Sequence, residues 1–599
     1  MLDRGEVPLT MQSCHGCHSG VVSSYLQQHG MATTVGTVGE PTVGSVANEL
    51  SGRRYEISKE GDGPWMTTIE ADGGRRRQRL VGRIGAGALA TSWVTAQVDP
   101  VTGVSTGRLF FAPVETVRGP GLVLAPFEHH KSSAGPEMEL TEGCLTCHVD
   151  QVLASLPDAA VGSGQTVFPA NALGESAFSH LTGIGCGGCH GATDFHVELM
   201  TGSEQPIGLG LLELGKLPPA SQRDVCARCH LEGDSRWSLI EGRMSTARPL
   251  PAQVPVVVTA EPDADFRFVG QLERLALSAC FQATLAMTCT TCHQPHLGVA
   301  AQGVEALEAV CVSCHPAIEE KHTARTVEEV TGEASRTVAG CIDCHLRRSQ
   351  PFDLTQISAV DHWIRRDIEP PVSGAPHRQH SGSGREVMLF DRERIADALD
   401  TAGGRQWENA VMGMSFSSMG RFEEARAAFS QLPAPGSPAA VEAAAPTPLA
   451  PVMTRPSLHQ TRALILLSAG DFGAADAAFS DAIALDPASP GARLGRARLR
   501  LDGGNVLGVL EDTQVVIDNF PRAEQPWRLR LELAERAGRF DLALQALEAI
   551  VERWPSDAAA WQKLGLILQQ EGQADRAAEA LRRGRALSPS LDLRTQPGR

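Results

Sequence analysis

Residues 13–20 read "SCHGCHSG", and the fold of the first half of the chain turns on what these thiols and imidazoles are for. The C-x-x-C-H unit inside the stretch, Cys14, Cys17 and His18, returns six times. The further copies are Cys144/Cys147/His148, Cys186/Cys189/His190, Cys226/Cys229/His230, Cys289/Cys292/His293, Cys311/Cys314/His315 and Cys341/Cys344/His345. At the cysteine and histidine frequencies of this chain, chance would supply about 0.01 copies. A four-cysteine zinc site does not require a histidine directly after every second cysteine. A two-residue gap also makes a poor structural disulfide. The spacing is the one at which two thiols form thioethers with the vinyl groups of a c-type haem and the following histidine binds the iron. The sequence therefore predicts seven c-type haems, held by those 14 of the 15 cysteines, with the seven motif histidines as proximal iron ligands. Cys280, in "LALSACFQA", reads as a small buried apolar side chain.

Haem iron in an electron carrier usually takes a second axial ligand. Of 19 histidines, 12 are not proximal, enough to close every site. The candidate distal ligands are His29, His129, His130, His180, His196, His296, His322 and His362, all within the part of the chain that carries the motifs. His377 and His380, in "APHRQHSGSG", read as linker.

A length of 599 residues implies several domains, and a formal charge of −17 argues against a nucleic-acid partner. No run of about 18 apolar residues is present, so no membrane span is expected. The expected organisation is a heptahaem domain over residues 1–370, a linker over 371–404 and a repeat domain over 405–599. Within the first, residues 52–118 lack a motif and alternate short β-favouring runs with Asp-Gly and Gly-Gly turns, which reads as a small β-rich insert. "RRRQR" at 75–79 reads as a solvated hairpin edge, and "RIGAGALATS" lacks the strand-turn-helix context of a nucleotide loop.

The second half carries a period. Gly470, Gly504, Gly538 and Gly572 are 34 residues apart, as are Pro487, Pro521, Pro555 and Pro589. A glycine closing the first helix and a proline following the second is the tetratricopeptide layout. An earlier repeat, around Gly420, Ala425 and Phe429, brings the number to about five, with a Pro/Ala-rich insertion near 433–451. The expected fold is mainly α: a multihaem cytochrome c domain with a small β insert, then an α-solenoid. Stacked helix pairs make a concave surface suited to docking a protein partner or a second copy; the plainer reading is a stabilising cap.

With "YLQQHGMATT", "GIGCGGCHGATDFHV", "LALSACFQATLAMTCTTCHQPH" and "CIDCHLRRSQPFDLTQISAVDHWIRR" added to "SCHGCH", the chain resembles multihaem c-type cytochromes related to cytochrome c-554, in the branch that carries C-terminal tetratricopeptide repeats. It departs from them at Gly191-Ala192-Thr193 and Leu346-Arg347. The resemblance implies distal ligand positions at His29, His196, His296 and His362, often serving a haem attached elsewhere in the sequence. It also implies a periplasmic or cell-surface protein. The start "MLDRGEVPLT" has neither a basic nor an apolar export region, so an export signal is expected to be missing from this sequence.

The function expected is electron transfer along closely spaced haems between a donor and an acceptor protein, with the repeats holding a partner. The rival is a multihaem oxidoreductase acting on a small nitrogen or sulfur species at a five-coordinate haem. Its candidate site is the motif at Cys226/Cys229/His230, which has no spare histidine nearby in sequence and has Lys216, Arg223 and Arg228 to bind an anion.

Overall fold

A computed structural model describes residues 9–98, 105–129, 138–140, 147–149, 181–201, 211–239, 248–259, 266–316, 340–351, 357–366, 385–442, 448–520 and 523–588, apart from 62, 72, 87, 88, 182, 192, 347 and 352. Its N-terminal part is built on a nine-stranded antiparallel sheet: β1 (Val35–Gly36), β2 (Gly44–Asn48), β3 (Arg53–Glu60), β4 (Gly63–Ile69), β5 (Arg75–Ile84), β6 (Ala90–Val98), β7 (Ser105–Val117), β8 (Gly121–Leu124) and β9 (Met138–Glu139). The order is β2 through β8 in sequence, with β1 added to β5 and β9 to β7. The terminal strands of that path, β2 and β8, touch each other, so the sheet curls into a barrel-like form.

Residues of alternating burial along β5 show why the sheet forms: every second side chain from Gln78 to Ile84 points inward. One face packs Tyr55, Ile57, Met66, Leu80, Trp93 and Val114. At its end the buried Glu128 accepts hydrogen bonds from Tyr55 Oη (2.6 Å) and Asn48 Nδ2 (3.0 Å). The sheet is larger than the insert expected over 52–118. Its outer strands β1, β2, β8 and β9 run for only two to five residues, too short to display a period of two.

The C-terminal region is helical. Five helix pairs follow one another: Ala402–Ser418/Phe422–Phe429, Pro456–Ser468/Phe472–Leu485, Pro490–Asp502/Val506–Asn519, Gln525–Ala537/Phe540–Arg553 and Ala558–Gln570/Ala574–Leu587. Gly420, Gly470, Gly504, Gly538 and Gly572 all turn the chain between the two helices of a pair at positive φ, 63–78°, a conformation costly for any residue with a Cβ. Ion pairs one repeat apart, Arg498–Glu532 and Arg536–Asp502, cross from helix to helix.

Residues 385–404 belong to both halves. Val387–Leu389 pairs with Val256–Thr259, which pairs in turn with Ser235–Arg236. Leu239 and Ala252 share a core with Leu389, Trp407, Val411 and Phe429 of the first repeat. Arg394 grips Asp224 with both terminal nitrogens, at 2.7 and 2.8 Å. At the far end, the last two repeats meet β3–β5 around a cleft of about 490 Å³ lined by Arg53, Glu70, Arg76, Arg528, Trp554 and Asp557. Its arginines are neutralised by neighbouring carboxylates (Arg53–Glu70 2.8 Å, Arg76–Glu70 2.6 Å, Arg528–Glu524 2.6 Å), so it offers no net charge to a ligand. Among the described residues, no helix is long and apolar enough to cross a membrane.

Candidate cofactor site: clustered motifs and facing histidines

Each C-x-x-C-H motif described in full sits on a helical turn. The turns are in Leu9–Gln28, where His18 breaks the helical geometry, Cys186–His190, Pro219–His230, Cys289–Cys292, Val304–Cys314 and Cys341–His345. Cysteines three apart on a helix share one face, and the histidine stands where the turn ends. Of the second motif, Cys147 and His148 are described, and Cys144 lies outside the described residues. The described cysteines are all free thiols, so the disulfide alternative has no support among them.

The motifs touch one another although they are far apart in sequence. Cys147 hydrogen-bonds to Cys229, Cys226 to Cys289 and Cys311 to Cys341. These bonds, with burial, push Cys226 and Cys229 far above the usual thiol range, while Cys147 is drawn down to about 5 by its hydrogen bond from Cys229. Cys189 of the third motif also lies close enough to Cys226 to raise it. Cys14 and Cys186 pack in one apolar cluster with Met11, Val22 and Tyr25, and the Tyr25 hydroxyl donates to the Ile184 carbonyl at 2.8 Å. Cys292 is raised by burial and by Cys280, Cys289 and Cys314 beside it. All seven motifs thus form one connected group.

Among the described residues, three pairs of imidazoles face each other. His18 and His196 have ring centres 6.4 Å apart, His190 and His296 6.1 Å, and His293 and His362 6.1 Å. In each pair one partner is a motif histidine and the other an expected distal ligand. A metal–imidazole bond of about 2.0–2.1 Å puts two nitrogens roughly 4 Å apart across one ion, and the ring centres roughly 6 Å apart. The centre-to-centre distances of the three pairs match that span.

The sixth motif departs from this arrangement. His315, expected as a proximal ligand, ends the helix Val304–Cys314, with its N–H donating to the Cys311 carbonyl at 2.9 Å. Its side chain is exposed, as is that of Cys314 beside it, and it faces no second imidazole among the described residues. His315 leaves helical geometry (φ −123°, ψ 60°) at the end of a helix that buries none of its own residues. His322, the candidate distal ligand nearest in sequence, lies outside the described residues. His148 and His230 likewise belong to none of the three facing pairs.

Hydrogen bonds fix the opposite edge of several rings. The Nδ1 of His190 reaches the Leu212 carbonyl (3.1 Å), that of His230 the Gln271 side-chain oxygen (3.0 Å), that of His345 the Arg365 carbonyl (2.6 Å) and that of His362 the Val360 carbonyl (3.3 Å). Carbonyl oxygens only accept, so Nδ1 carries the proton and Nε2 is left with its lone pair for a metal. Burial, reinforced by the charge of His293, holds His362 down to about 4 and therefore neutral. Burial likewise lowers His293, His296 and His148.

His29 is lowered by burial and then by His296, His230 and His293. The fold therefore brings a candidate distal ligand from just after the first helix into the electrostatic neighbourhood of His230, the motif histidine with no spare histidine close in sequence. Two of the expected anion-binding cations there are engaged: Lys216 with Glu213 (2.7 Å), and Arg223 with the Leu285 and Met287 carbonyls (2.9 and 2.8 Å). His130, His180 and His322 lie outside the described residues, as does the His129 side chain.

The surface around the motifs is apolar and uncovered. The helices Ala279–Ala283, Cys289–Cys292, Val299–Gln302 and Val304–Cys314 bury no residue at all, and Leu285 and Val299 are 71% and 55% exposed. Such helices gain little from the protein core beyond Phe281, which packs on the cluster of Leu231, Leu250 and Leu272, and a flat apolar group lying on them would add contact. Among the described residues, no three or more His, Cys, Asp or Glu side chains converge as a metal cluster; a haem iron takes only two protein ligands.

Sequence reasoning missed the groups that orient the imidazoles, namely Leu212, Gln271, Arg365 and the buried Asp361. Backbone carbonyls carry no sequence signature, and Asp361 shows its role only through partners distant in sequence.

A tetratricopeptide repeat family model matches residues 461–508 and 529–592. Among solved structures, the crystal structure of MamA protein aligns with 32% of this chain and 98% of its own at 15% identity and a TM-score of 0.26. A tetratricopeptide repeat protein from Parabacteroides merdae aligns with 32% of this chain and 67% of its own at 12% identity and a TM-score of 0.23. No curated protein matches. The family match coincides with the helix pairs and their 34-residue period, and the C-terminal region is accordingly an array of tetratricopeptide repeats, a module of protein–protein interaction.

Proposed function

We propose that the chain is an electron-transfer protein of the periplasm or cell surface, with a c-type haem attached at each of its seven C-x-x-C-H motifs and a repeat array that holds a redox partner. The observation that carries this reading is the set of facing pairs His18/His196, His190/His296 and His293/His362. Haem c supplies one-electron chemistry when bound.

The chain's own residues do the rest. The two cysteines of each motif anchor the group covalently, and the motif histidine presents Nε2 to the iron. The carbonyls of Leu212 and Arg365 and the amide of Gln271 fix His190, His345 and His230 in that tautomer. Burial keeps the His296 and His362 rings neutral, ready to ligate at neutral pH. Cysteines of different motifs lie side by side, so neighbouring sites are close. The Asp224–Arg394 pair ties the helix of the fourth motif to the segment leading into the repeats, so a partner held by the array lies near that motif. A location outside the bacterial cytoplasm follows from the attachment chemistry that the resemblance implies.

The test is to express the chain with a cytochrome c maturation system, denature it and count covalent haem by the pyridine haemochromogen, then record electron paramagnetic resonance spectra with and without nitrite. Seven haems per chain and only low-spin ferric signals, unmoved by nitrite, are expected. Absence of covalent haem, or stoichiometric zinc instead, would overturn the reading. A high-spin signal that nitrite shifts would replace conduction with catalysis at an open haem.

A further inference from the structure

Resting on that haem reading, we propose that Asp361 is a positioning residue for two haem sites at once, holding His362 opposite His293 and holding the Arg365 carbonyl on His345. Asp361 is 1% exposed. A carboxylate so deeply buried needs full compensation, and it has it. Arg274 donates to both its oxygens from Nε and Nη2 (2.9 and 2.7 Å), Arg365 donates from Nη2 (2.6 Å) and the Trp363 backbone N–H adds a fourth bond (3.0 Å). The two guanidinium groups also lie against the Trp363 ring, at 5.1 and 4.4 Å from its centre.

The residues held this way are those next to iron ligands. His362 follows Asp361 directly and faces His293 with ring centres 6.1 Å apart. Arg365 makes a reciprocal pair with His345: its N–H donates to the His345 carbonyl (3.1 Å), and its carbonyl accepts from His345 Nδ1 (2.6 Å). The same short stretch is pinned by Ile364 N–H donating to the buried Ser278 hydroxyl (2.8 Å). The stretch from Asp361 to Arg365 has no regular structure of its own, and the short strand Ala359–Val360, paired with Arg348–Ser349, ends just before it. The carboxylate between two arginines replaces the missing helix or strand.

Asp361→Asn and Arg274→Gln test this in the full chain loaded with haem. In each variant, loss of the clamp is expected to turn about one-seventh of the iron from low-spin to high-spin, as His362 leaves the iron opposite His293, with seven covalent haems retained. A potentiometric titration is expected to show two of the seven waves displaced and five unmoved, the second displaced wave coming from the haem at His345. Spectra and waves identical to the parent in both variants would overturn the inference, as would displacement spread over all the waves. A parent chain without covalent haem would overturn the haem reading and the inference together, whereas seven haems in the parent with unaltered variants would overturn the inference alone. Should Asp361→Asn fail to mature, Arg274→Gln decides, because it leaves Asp361 paired with Arg365.

Discussion

His190 and His296 face each other with ring centres 6.1 Å apart and planes within 15°. One closes a C-x-x-C-H turn and the other lies in the loop after a different motif, so the chain folds back to make the pair. In the proposed haem reading, thioether attachment would involve Cys186 and Cys189, not His296. His296→Ala should therefore retain seven covalent haems while converting one from low-spin to high-spin. Haem counting and paramagnetic resonance on the same sample check this, and an unaltered spectrum would exclude His296 as a ligand.

The helices from Ala279 to Cys314 bury none of their own residues. Chain produced without haem attachment should exchange amide hydrogens there within seconds, whereas the repeats from Pro456 to Leu587, with their own cores, should remain protected. Hydrogen-exchange mass spectrometry of loaded and unloaded protein compares the two. Equal protection of the motif helices in both forms would contradict the fit of a covering group.

Asp512 is buried among Arg493 (2.9 Å), Arg496 (2.8 Å) and Arg500 (3.0 Å). Asp512→Ala leaves three guanidinium groups without their common partner and should cost about 3–5 kcal/mol. By contrast, the Arg498–Glu532 pair is half exposed at its arginine, and Glu532→Ala should cost less than about 1 kcal/mol. Urea unfolding followed by helical circular dichroism measures both.

His459 is fully buried, with Nε2 on the Met453 carbonyl (2.7 Å) and Nδ1 3.9 Å from Asp481. Burial lowers its pKa, and the Met453 carbonyl and Asp481 offset that only in part, with Arg462 opposing the charge as well. The folded state thus prefers the neutral ring. Above about pH 6.5 both states are neutral and nothing is lost; below it the unfolded chain gains a proton that the folded chain refuses. Stability should fall with acidification by up to about 1.4 kcal/mol per pH unit. His459→Gln should remove that share of the slope between pH 7.5 and 5.5 in urea melts, and an unchanged slope would show that the ring charges in place.

The C-x-x-C-H spacing was legible because it is local: two thiols and an imidazole fall within five residues whatever surrounds them. The repeats were legible because glycines and prolines recur every 34 residues, and the glycines turn the chain at positive φ. The sheet was legible only in its long central strands, since β1, β2, β8 and β9 are too short for alternation to show. Ligand pairing was not legible, because a distal histidine is fixed by the fold and not by its distance along the chain. His29, assigned to no site by sequence, comes to lie beside His230, and His362 comes to face His293, whereas His315 carries the same motif and stands exposed at a helix end. Local covalent geometry and repeat period are written in the order of residues. Which imidazoles meet depends on burying carboxylates such as Asp361 between arginines drawn from distant segments, and only the tertiary structure decides that.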